Sequence, residues 1–353
     1  MPCSGGPFPG SGLRALRIRR QSAEAPARDG AAQRRQYRLQ RNGFNSKGWN
    51  VFKNVMVYRM VSPWTMTQAQ LEEALHPARF VPCAASQEKS VGWLEPRGEE
   101  HGPLVEVVGG HWLLRQMVEV KSVPGSVVKR KVEEQVRHIE ATSGRKPGRK
   151  EVRELREDMR MSLLPLAFTK QAALHVWINP RAQLLVLDTG TQARADEVIT
   201  ALIKAIDGLV VQQLDTQVSP AAAMAHWLST QEAPRGFSID RECELKAADE
   251  SKAVVRYTRH ALDTEEVRAH IAMGKMPTRL AMTWNDRVSF VLTEALQIKK
   301  LAFLDVVIEG AADSPHADTK DSGFDTDAAI ATGELSGLIP DLLEALGGEM
   351  QKA

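Results

Sequence analysis

The sequence predicts an α+β fold made of two mixed modules, with mainly antiparallel sheets and a projecting helical hairpin. Strand-like runs come in pairs joined by short turns rather than by crossover helices, which is typical of antiparallel sheets. Between residues 123 and 164, two helical patterns flank a short Gly/Pro-rich turn. The chain has 353 residues, of which 43% are hydrophobic, and this is enough for about two domains with buried cores.

The elements before the hairpin are a strand, a short helix and a ribbon. Residues 53–61 alternate weakly in polarity and end at a Ser-Pro pair, which predicts an opening strand. Thr67 followed by Gln70 forms a capping-box pattern, so a helix is expected to begin there. The β-like runs 104–108 and 112–118 flank two glycines and predict an antiparallel ribbon.

Apolar spacing predicts both helices of the hairpin. In the first helix, apolar residues recur at spacings of four, four and three, which places them on one helical face. These residues are Val128, Val132, Val136 and Ile139. The turn over 143–150 ends this helix, and a second apolar pattern follows from 152 to 159. Residues 121–160 hold twelve basic and seven acidic residues, so the hairpin carries a net positive charge.

Strands and helices alternate beyond the hairpin. A strand pair at 172–178 and 183–188 is followed by a helix over 198–206 and a strand over 210–214. Proline is tolerated in the first turn of a helix, so Pro220 predicts a helix start.

The final third of the chain repeats this mixture. Five strands are predicted, at 237–245, 253–258, 278–284, 288–293 and 298–303. A helix is expected to begin near Thr264, with acidic residues in its first turn, and to end at Gly274. The last helix passes through 335–346 and contains Pro340, where a kink is expected.

The net charge of +2 is distributed unevenly. Residues 1–50 contain ten Lys or Arg and two acids, so the remainder holds 36 basic and 42 acidic residues. This first segment has eleven Gly or Pro and no hydrophobic period, which predicts a disordered basic extension. It is interpreted as a start codon assigned too early, as a transit peptide, or as a basic arm for nucleic acid. Regular patterning begins at Val51.

Motifs for catalysis, metal binding and membrane insertion are absent from the sequence. It contains no dinucleotide fingerprint after a strand, no P-loop, no H-E-x-x-H and no G-x-S-x-G. Histidines are scattered, and Cys3, Cys83 and Cys243 lie far apart, which excludes a zinc ribbon or disulfide framework and suits a reducing compartment. No apolar run approaches the roughly 20 residues of a membrane-spanning helix. The sequence therefore supports no catalytic, cofactor or metal site.

Acidic residues near the end of the chain could imitate a metal loop. They are Asp313, Asp318, Asp321, Asp325 and Asp327. Their spacing does not match the EF-hand register, so a solvated loop is favoured. Asp325 and Asp327 are interpreted as first-turn acids of the last helix.

Two groups of basic residues are the candidate binding sites. Lys and Arg suit phosphate contacts because neutralising phosphates releases condensed counterions. The hairpin cations are Lys129, Arg130, Arg145, Lys146, Arg149 and Lys150. The sheet cations are Arg256, Arg259, His260, Lys275 and Arg279. Ordinary solvated surface charge, with partners such as Glu133 and Glu154, is the alternative for both groups and stays open.

Short groups of residues distributed along the chain carry a resemblance to a known family. They are Phe52-Lys53-Asn54, Met56-Val57-Tyr58-Arg59, Pro82-Cys83, Ser86-Gln87, Leu163-Leu164-Pro165, Ala167-Phe168, Glu242-Cys243-Glu244-Leu245, Glu265-Glu266, His270, Gly274-Lys275 and Glu344-Ala345-Leu346-Gly347-Gly348. On these residues the chain from Val51 onward, about 300 residues, resembles RdgC, a family of bacterial recombination-associated DNA-binding proteins. The first fifty residues fall outside the resemblance.

The resemblance implies a non-enzymatic protein without cofactor or metal, cytoplasmic and nucleoid-associated. Such a protein would bind double-stranded DNA largely independently of sequence and restrain RecA. It also implies a homodimer closed into a ring around a positively charged hole. In this architecture, residues 51–122 and 165–216 would form a centre domain, 123–164 a helical tip, and 217–353 a base domain. A direct protein-interaction module for RecA, with incidental DNA binding, is the main alternative. A nuclease that uses Asp325 and Asp327 is a weaker one.

The family's expected functional positions map onto particular residues of this chain. Arg259, His260 and Lys275 match positions expected to face DNA. Phe168 is expected at the contact between the tips of two subunits. Leu166 stands where relatives commonly carry Arg, so a charge role is weakened at this position and the tip contact becomes more apolar. His260 is also a poorer phosphate partner than Lys because imidazole is mostly neutral at pH 7.

Overall fold

One antiparallel sheet of twelve strands runs through the part of the chain that the structure, a computed structural model, describes: residues 52–307 and 320–350. All of these residues fall within one compact unit, 47–353. The strands are β1 (Val55–Met60), β2 (Lys89–Leu94), β3 (Glu106–Val108), β4 (His111–Lys121), β5 (Thr169–Asn179), β6 (Leu184–Asp188), β7 (Val211–Gln213), β8 (Phe237–Ala247), β9 (Val254–Thr258), β10 (Lys275–Trp284), β11 (Val288–Thr293) and β12 (Ile298–Phe303).

Helices cover both faces of this sheet or project from it. They are α1 (Gln68–Leu75), α2 (Gly125–Ser143), α3 (Arg149–Leu163), α4 (Gln192–Ala205), α5 (Pro220–Thr230), α6 (Glu265–Ala272) and α7 (Lys320–Ala345). Short 3-10 turns follow α1 at His76–Ala78 and α3 at Leu164–Leu166.

The strand order confirms the predicted α+β class with antiparallel pairing. Ten strands form a continuous path in the order β2-β4-β5-β6-β1-β12-β11-β10-β8-β9, while β3 pairs with β4 and β7 with β1. Neighbouring strands on this path are antiparallel throughout. Both halves of the chain therefore contribute to a single sheet, joined where β1 meets β12.

Strand β1 is central because it supplies both hydrophobic cores. Side chains alternate across a strand, so neighbouring residues of β1 point to opposite faces. Val55 and Val57 enter a core that also contains Trp177 and is covered by α5 and α7. Met56 and Tyr58 enter a second core, which is covered by α1 and α4. The first core includes residues from both predicted modules; the division into centre, tip and base stays a prediction.

The helical hairpin is confirmed and consists of α2 and α3. Gly144 ends α2 with φ at +67°, a conformation that glycine adopts without steric cost. Val128 and Val132 of α2 are buried, as their spacing predicts, whereas no residue of α3 is fully buried. The hairpin therefore has a solvated surface along most of its length.

Most predicted elements agree with the structure to within a few residues, but one strand is missed and two helices start earlier than predicted: α4 includes Gln192 and α7 includes Lys320. Asp325 and Asp327 therefore lie beyond the first turn of α7, so their interpretation as first-turn acids is wrong.

The missed strand is β2, because its central Gly92 resembles a loop residue. Gly92 is required there: a Cβ atom at this position would lie 2.4 Å from Cα and 2.6 Å from N of Phe80, which is backbone. In the last helix, α7 continues through Pro340. Pro340 is exposed, so water can satisfy the carbonyl group left without a donor.

No helix among the described residues is long and apolar enough to cross a membrane. The basic extension 1–50, together with Asp313 and Asp318, lies outside the described residues.

We predict that Gly92→Ala destabilises the fold, since the backbone of Phe80 cannot yield as a flexible side chain would. Overpacking of this kind costs about 1–3 kcal/mol in the free energy of unfolding. The measurement is the melting temperature by circular dichroism. Gly125→Ala is the matched control, because nothing lies within 4 Å of a Cβ atom at that position. A Gly92→Ala variant with the same melting temperature as the unaltered chain would contradict the close approach of Phe80 to position 92.

Candidate nucleic-acid interface

Strands β9, β8 and β10 bring two sheet cations onto one carboxylate. The register places Glu244 opposite both Arg256 and Arg279. Arg256 Nε lies 2.6 Å from Glu244 Oε2, and Arg279 Nε lies 4.0 Å from Oε1. The Thr278 hydroxyl donates a hydrogen bond of 2.7 Å to the same Oε1. Glu244 therefore offsets part of the charge of both arginines and holds them side by side.

These contacts also set the protonation of Glu244. Burial alone would raise the pKa of this carboxyl, but hydrogen bonds from Thr278 and Arg256 and the charge of Arg279 bring the pKa below its ordinary value. Glu244 is consequently ionised at neutral pH and available to bind both guanidinium groups.

The sheet cation His260 and the neighbouring His270 lie around the ring of Tyr257. The His260 ring is 5.5 Å from it and the His270 ring 6.5 Å, measured between centroids. The Lys275 ammonium donates to His270 Nδ1 at 2.8 Å, and the Tyr257 hydroxyl donates to Glu266 at 3.0 Å. Burial, together with Glu266, raises the pKa of Tyr257 to about 12, so this hydroxyl stays protonated. The structure thus places His260 against Tyr257 and links Lys275 to the same residue only through His270.

Arg259 immediately follows β9 at an exposed turn. Its φ is +54°, a left-handed conformation that is uncommon for a residue with a side chain. The turn is tied to β8, because the amide of His260 donates to the carbonyl of Arg241 at 3.2 Å. Arg259 forms no ion pair with any described residue, so its charge is presented to solvent.

Most of the hairpin cations are paired with acids of the same hairpin. The pairs are Lys129–Glu133 at 3.9 Å, Arg130–Glu134 at 4.0 Å, Arg145–Glu151 at 2.8 Å, Lys146–Glu140 at 4.0 Å and Lys150–Glu154 at 4.0 Å. All five cations are exposed, and pairs of this kind contribute little to stability. Their role in nucleic-acid binding stays a prediction, and their geometry also fits a solvated helix surface.

Sequence reasoning included Arg149 but missed three further arginines of α3. Within the described residues, Arg149, Arg153 and Arg156 form no ion pair, whereas Arg160 pairs with Glu88 at 2.8 Å. The four arginines recur at spacings of four, three and four, a periodicity that could have found them in the sequence.

Where the hairpin rejoins the sheet, apolar side chains are exposed. Phe168 is 90% exposed and Leu166 80%, and both lie at or beside the 3-10 turn after α3. Met161 on the preceding helix turn is 49% exposed. Phe168 is held at the foot of the hairpin, since its carbonyl accepts a hydrogen bond of 3.4 Å from the amide of Ser122.

The acids of the nuclease alternative have other contacts. Asp325 accepts a hydrogen bond of 2.6 Å from Arg97, so it is engaged in an ion pair across to the loop after β2. Among the described residues, no group of three or more His, Cys, Asp or Glu is placed to hold a metal ion. Cys83 and Cys243 are free thiols, and burial raises the pKa of Cys243 to about 12.

Together, these features define a mixed α+β protein that presents cations on a sheet surface and on a projecting hairpin. The chain belongs to the RdgC family: a family model described as "Putative exonuclease, RdgC" matches residues 50–349. The resemblance inferred from scattered residue groups is therefore confirmed.

Curated relatives support the same family. A protein of Dechloromonas aromatica is 48% identical over 305 residues, covering 86% of this chain and 99% of the relative. A protein of Herminiimonas arsenicoxydans is 46% identical over 301 residues, covering 85% and 99%. A protein of Cupriavidus necator is 46% identical over 298 residues, covering 84% and 98%. Each is named "Recombination-associated protein RdgC", a name that carries no enzymatic designation.

We predict that Glu244→Gln removes a pH-dependent part of the stability. Because the folded-state pKa of Glu244 lies below the unfolded value of about 4.3, the carboxylate stabilises the fold at neutral pH. This contribution disappears as the pH falls through the folded-state pKa. The melting temperatures of the unaltered chain and the variant should therefore differ at pH 7 and converge toward pH 3.

The matched control is Glu232→Gln, an exposed glutamate without an ion pair to any described residue. A difference between the Glu244→Gln variant and the unaltered chain that stays constant from pH 7 to pH 3 would contradict the role of the carboxylate charge.

Proposed function

We propose that this chain binds double-stranded DNA with little sequence preference, encircles the duplex as a homodimer, and restrains RecA-mediated recombination in the bacterial nucleoid. The observation that carries this proposal is Arg259, which is exposed next to His260 on the turn after β9 and forms no ion pair with any described residue. Membership of a recombination-associated family supports the same function.

Phosphate contacts account for binding without sequence preference. Lys and Arg that neutralise phosphates release counterions, a gain that depends on backbone charge rather than on base identity. Arg259 suits this role because its guanidinium is exposed and forms no ion pair with any described residue. Lys275 adds an ammonium group oriented by His270. Arg256 and Arg279 supply charge nearby, which Glu244 partly offsets.

A ring explains how a chain with excess acid outside its first fifty residues can bind a polyanion. Two copies facing each other across a two-fold axis would place their sheet cations on opposite sides of one duplex. Acidic residues would then lie on the outside, where they do not oppose binding. Encirclement adds topological retention to individually weak phosphate contacts.

The exposed Phe168 and Leu166 supply one of the contacts that a closed ring needs. Exposed apolar side chains that lie together mark interaction sites, whereas single scattered ones are ordinary on a protein surface. Burying an aromatic anchor between two copies would stabilise closure. The leucine at position 166 makes this contact more apolar than an arginine would.

Direct binding to RecA is the alternative route to the same regulation. In that case the hairpin would dock on the recombinase, and DNA contacts would be incidental. A protein that occupies duplex DNA instead limits RecA by obstructing strand exchange. The two routes differ in whether inhibition of RecA depends on DNA affinity.

We predict that Arg259→Glu combined with Lys275→Glu strongly weakens duplex binding and lowers its dependence on salt. Removing one phosphate neutralisation reduces the slope of log K against log salt by about 0.9. The measurement is fluorescence anisotropy with a labelled duplex between 50 and 200 mM salt, using residues 47–353 so that the basic extension does not contribute. Lys204→Glu with Arg181→Glu is the control, because it changes the charge equally at exposed positions elsewhere.

The same samples distinguish the other functions. Failure of residues 47–353 to bind duplex DNA at low salt would overturn the proposal. Retained RecA inhibition by the variant that no longer binds DNA would favour direct RecA contact. The family description mentions an exonuclease, so the labelled duplex is also incubated with magnesium; we expect it to stay full length, and shortening would favour the enzymatic alternative.

We predict that Phe168→Ala loosens the ring while leaving the subunit folded, because the truncated side chain is 90% exposed in the subunit. Light scattering should show a shift toward monomer, and retention on circular DNA should fall. Val210→Ala, which truncates an exposed apolar residue after α4, is the control. Unchanged assembly and unchanged retention in the Phe168→Ala variant would count against the tip contact.

A further inference from the structure

A cleft lies where the helical hairpin meets the sheet. Its volume is about 630 Å³, which is within the usual range for sites that take small organic ligands. Its walls come from α2, from α3 with the 3-10 turn that follows it, and from the end of β4 with the linker to α2. The cleft is therefore bounded by elements that are separate in the chain and meet only in the folded protein.

The inner wall of the cleft is apolar. Val128 of α2 and Leu164 of the 3-10 turn line it and are buried, and Val120 and Val123 line it beside them. Val120 is still 38% exposed, so part of this wall is in contact with water. The apolar body of a ligand would cover that surface, which is favourable.

Two cations at the cleft have no acidic partner. Arg156 of α3 is exposed and forms no ion pair with any described residue. Lys121 of β4 donates hydrogen bonds of 2.7 Å to the carbonyl of Ala84 and 3.2 Å to that of Ala85, and neither neutralises its charge. Arg156 and Lys121 therefore supply positive charge from opposite parts of the cleft, the hairpin and the sheet.

The other charged side chains of the cleft largely offset one another. Arg160 and Glu88 form an ion pair of 2.8 Å across the cleft. Lys129 and Glu157 also line the cleft and carry opposite charges. The lining thus holds four basic and two acidic residues, a balance of +2. A phosphate monoester carries a charge of about −1.5 to −2 at pH 7, which matches this balance.

We infer that the cleft is a binding site for an organic phosphate monoester of about nucleotide size. Its phosphate would bind Arg156 and Lys121, and its body would pack on the valines of the inner wall. Free phosphate would leave the apolar wall uncovered, and duplex DNA keeps its bases stacked inside the helix, so neither satisfies both parts of the site. The inference goes beyond the proposed function and does not depend on DNA binding.

Occupancy of the cleft would fasten the hairpin to the sheet. Within the described residues, Arg160–Glu88 is the one ion pair that connects α2 or α3 to the rest of the chain. A phosphate held between Arg156 of α3 and Lys121 of β4 would add a second connection. The ligand would therefore restrict movement of the hairpin at its foot.

The test is a calorimetric titration of the full-length chain with adenosine 5′-monophosphate. The variant is Arg156→Gln, which removes a guanidinium from the cleft. Arg153→Gln is the matched control, because Arg153 lies on the same helix, is exposed, forms no ion pair with any described residue and does not line the cleft. Each substitution removes one positive charge and both variants retain the basic extension, so a difference between them cannot come from net charge.

We expect the unaltered chain to bind adenosine 5′-monophosphate with a Kd below about 1 mM. Arg156→Gln should raise the Kd about tenfold or more, because a hydrogen bond between charged groups is lost. Arg153→Gln should change it by less than about twofold, since a charge outside the cleft is screened by salt. Adenosine and inorganic phosphate, tested separately, should each bind more weakly than the nucleotide. The nucleotide should also slow amide hydrogen exchange at 120–129 and 156–164, which border the cleft.

Several results would overturn the site. They are the absence of saturable nucleotide binding, equal weakening by both substitutions, and protection from exchange confined to other segments. Inorganic phosphate that binds as tightly as the nucleotide would contradict the role of the apolar wall. None of these measurements contains DNA, so their failure would leave the proposed duplex binding standing, and loss of duplex binding would leave the cleft untouched.

Discussion

The pleat of strand β1 is the constraint on which the rest of the structure depends. Six residues must supply two cores at once, and the two-residue period of a strand allows this without any bend. Val55 and Val57 serve one core, Met56 and Tyr58 the other. A shift of one residue in register would exchange the two sets and mismatch both cores. The paired strands β6 and β12 hold that register in place.

Local pattern was sufficient for most elements but not for their assembly. The spacing of Val128 and Val132 predicted α2, and the Thr67–Gln70 capping box predicted the start of α1, because both are determined within a few residues. The pairing of β1 with β12 joins Val55 to Ile298, and no local period can reveal such a partner. Strand β2 was missed for a related reason. The backbone of Phe80, which requires a glycine at position 92, lies against β2 only in the folded chain.

In the candidate site, too, contacts between residues close in sequence could be predicted, whereas contacts between distant strands could not. Composition and family resemblance selected Arg259 and Lys275, and the structure places one in solvent and the other on His270. Sequence alone could not tell that Glu244 binds both Arg256 and Arg279, because the three residues meet only when β9, β8 and β10 align. In the hairpin the acidic partners are close in sequence, so the ion pairs were foreseeable as an alternative.

The junction of β1 with β12 also has a consequence for how the chain reaches its fold. Pairings that are distant in sequence must wait until the later partner exists. At ribosomal rates of about 5–20 residues per second, roughly ten seconds to a minute separate the synthesis of Val55 from that of Ile298. During this interval the Val55 end of β1, which β7 does not cover, has an open edge, and the apolar side chains facing the first core lack α7. An open edge beside exposed apolar side chains favours aggregation. The nascent chain is therefore expected to depend on chaperones until its last strands emerge.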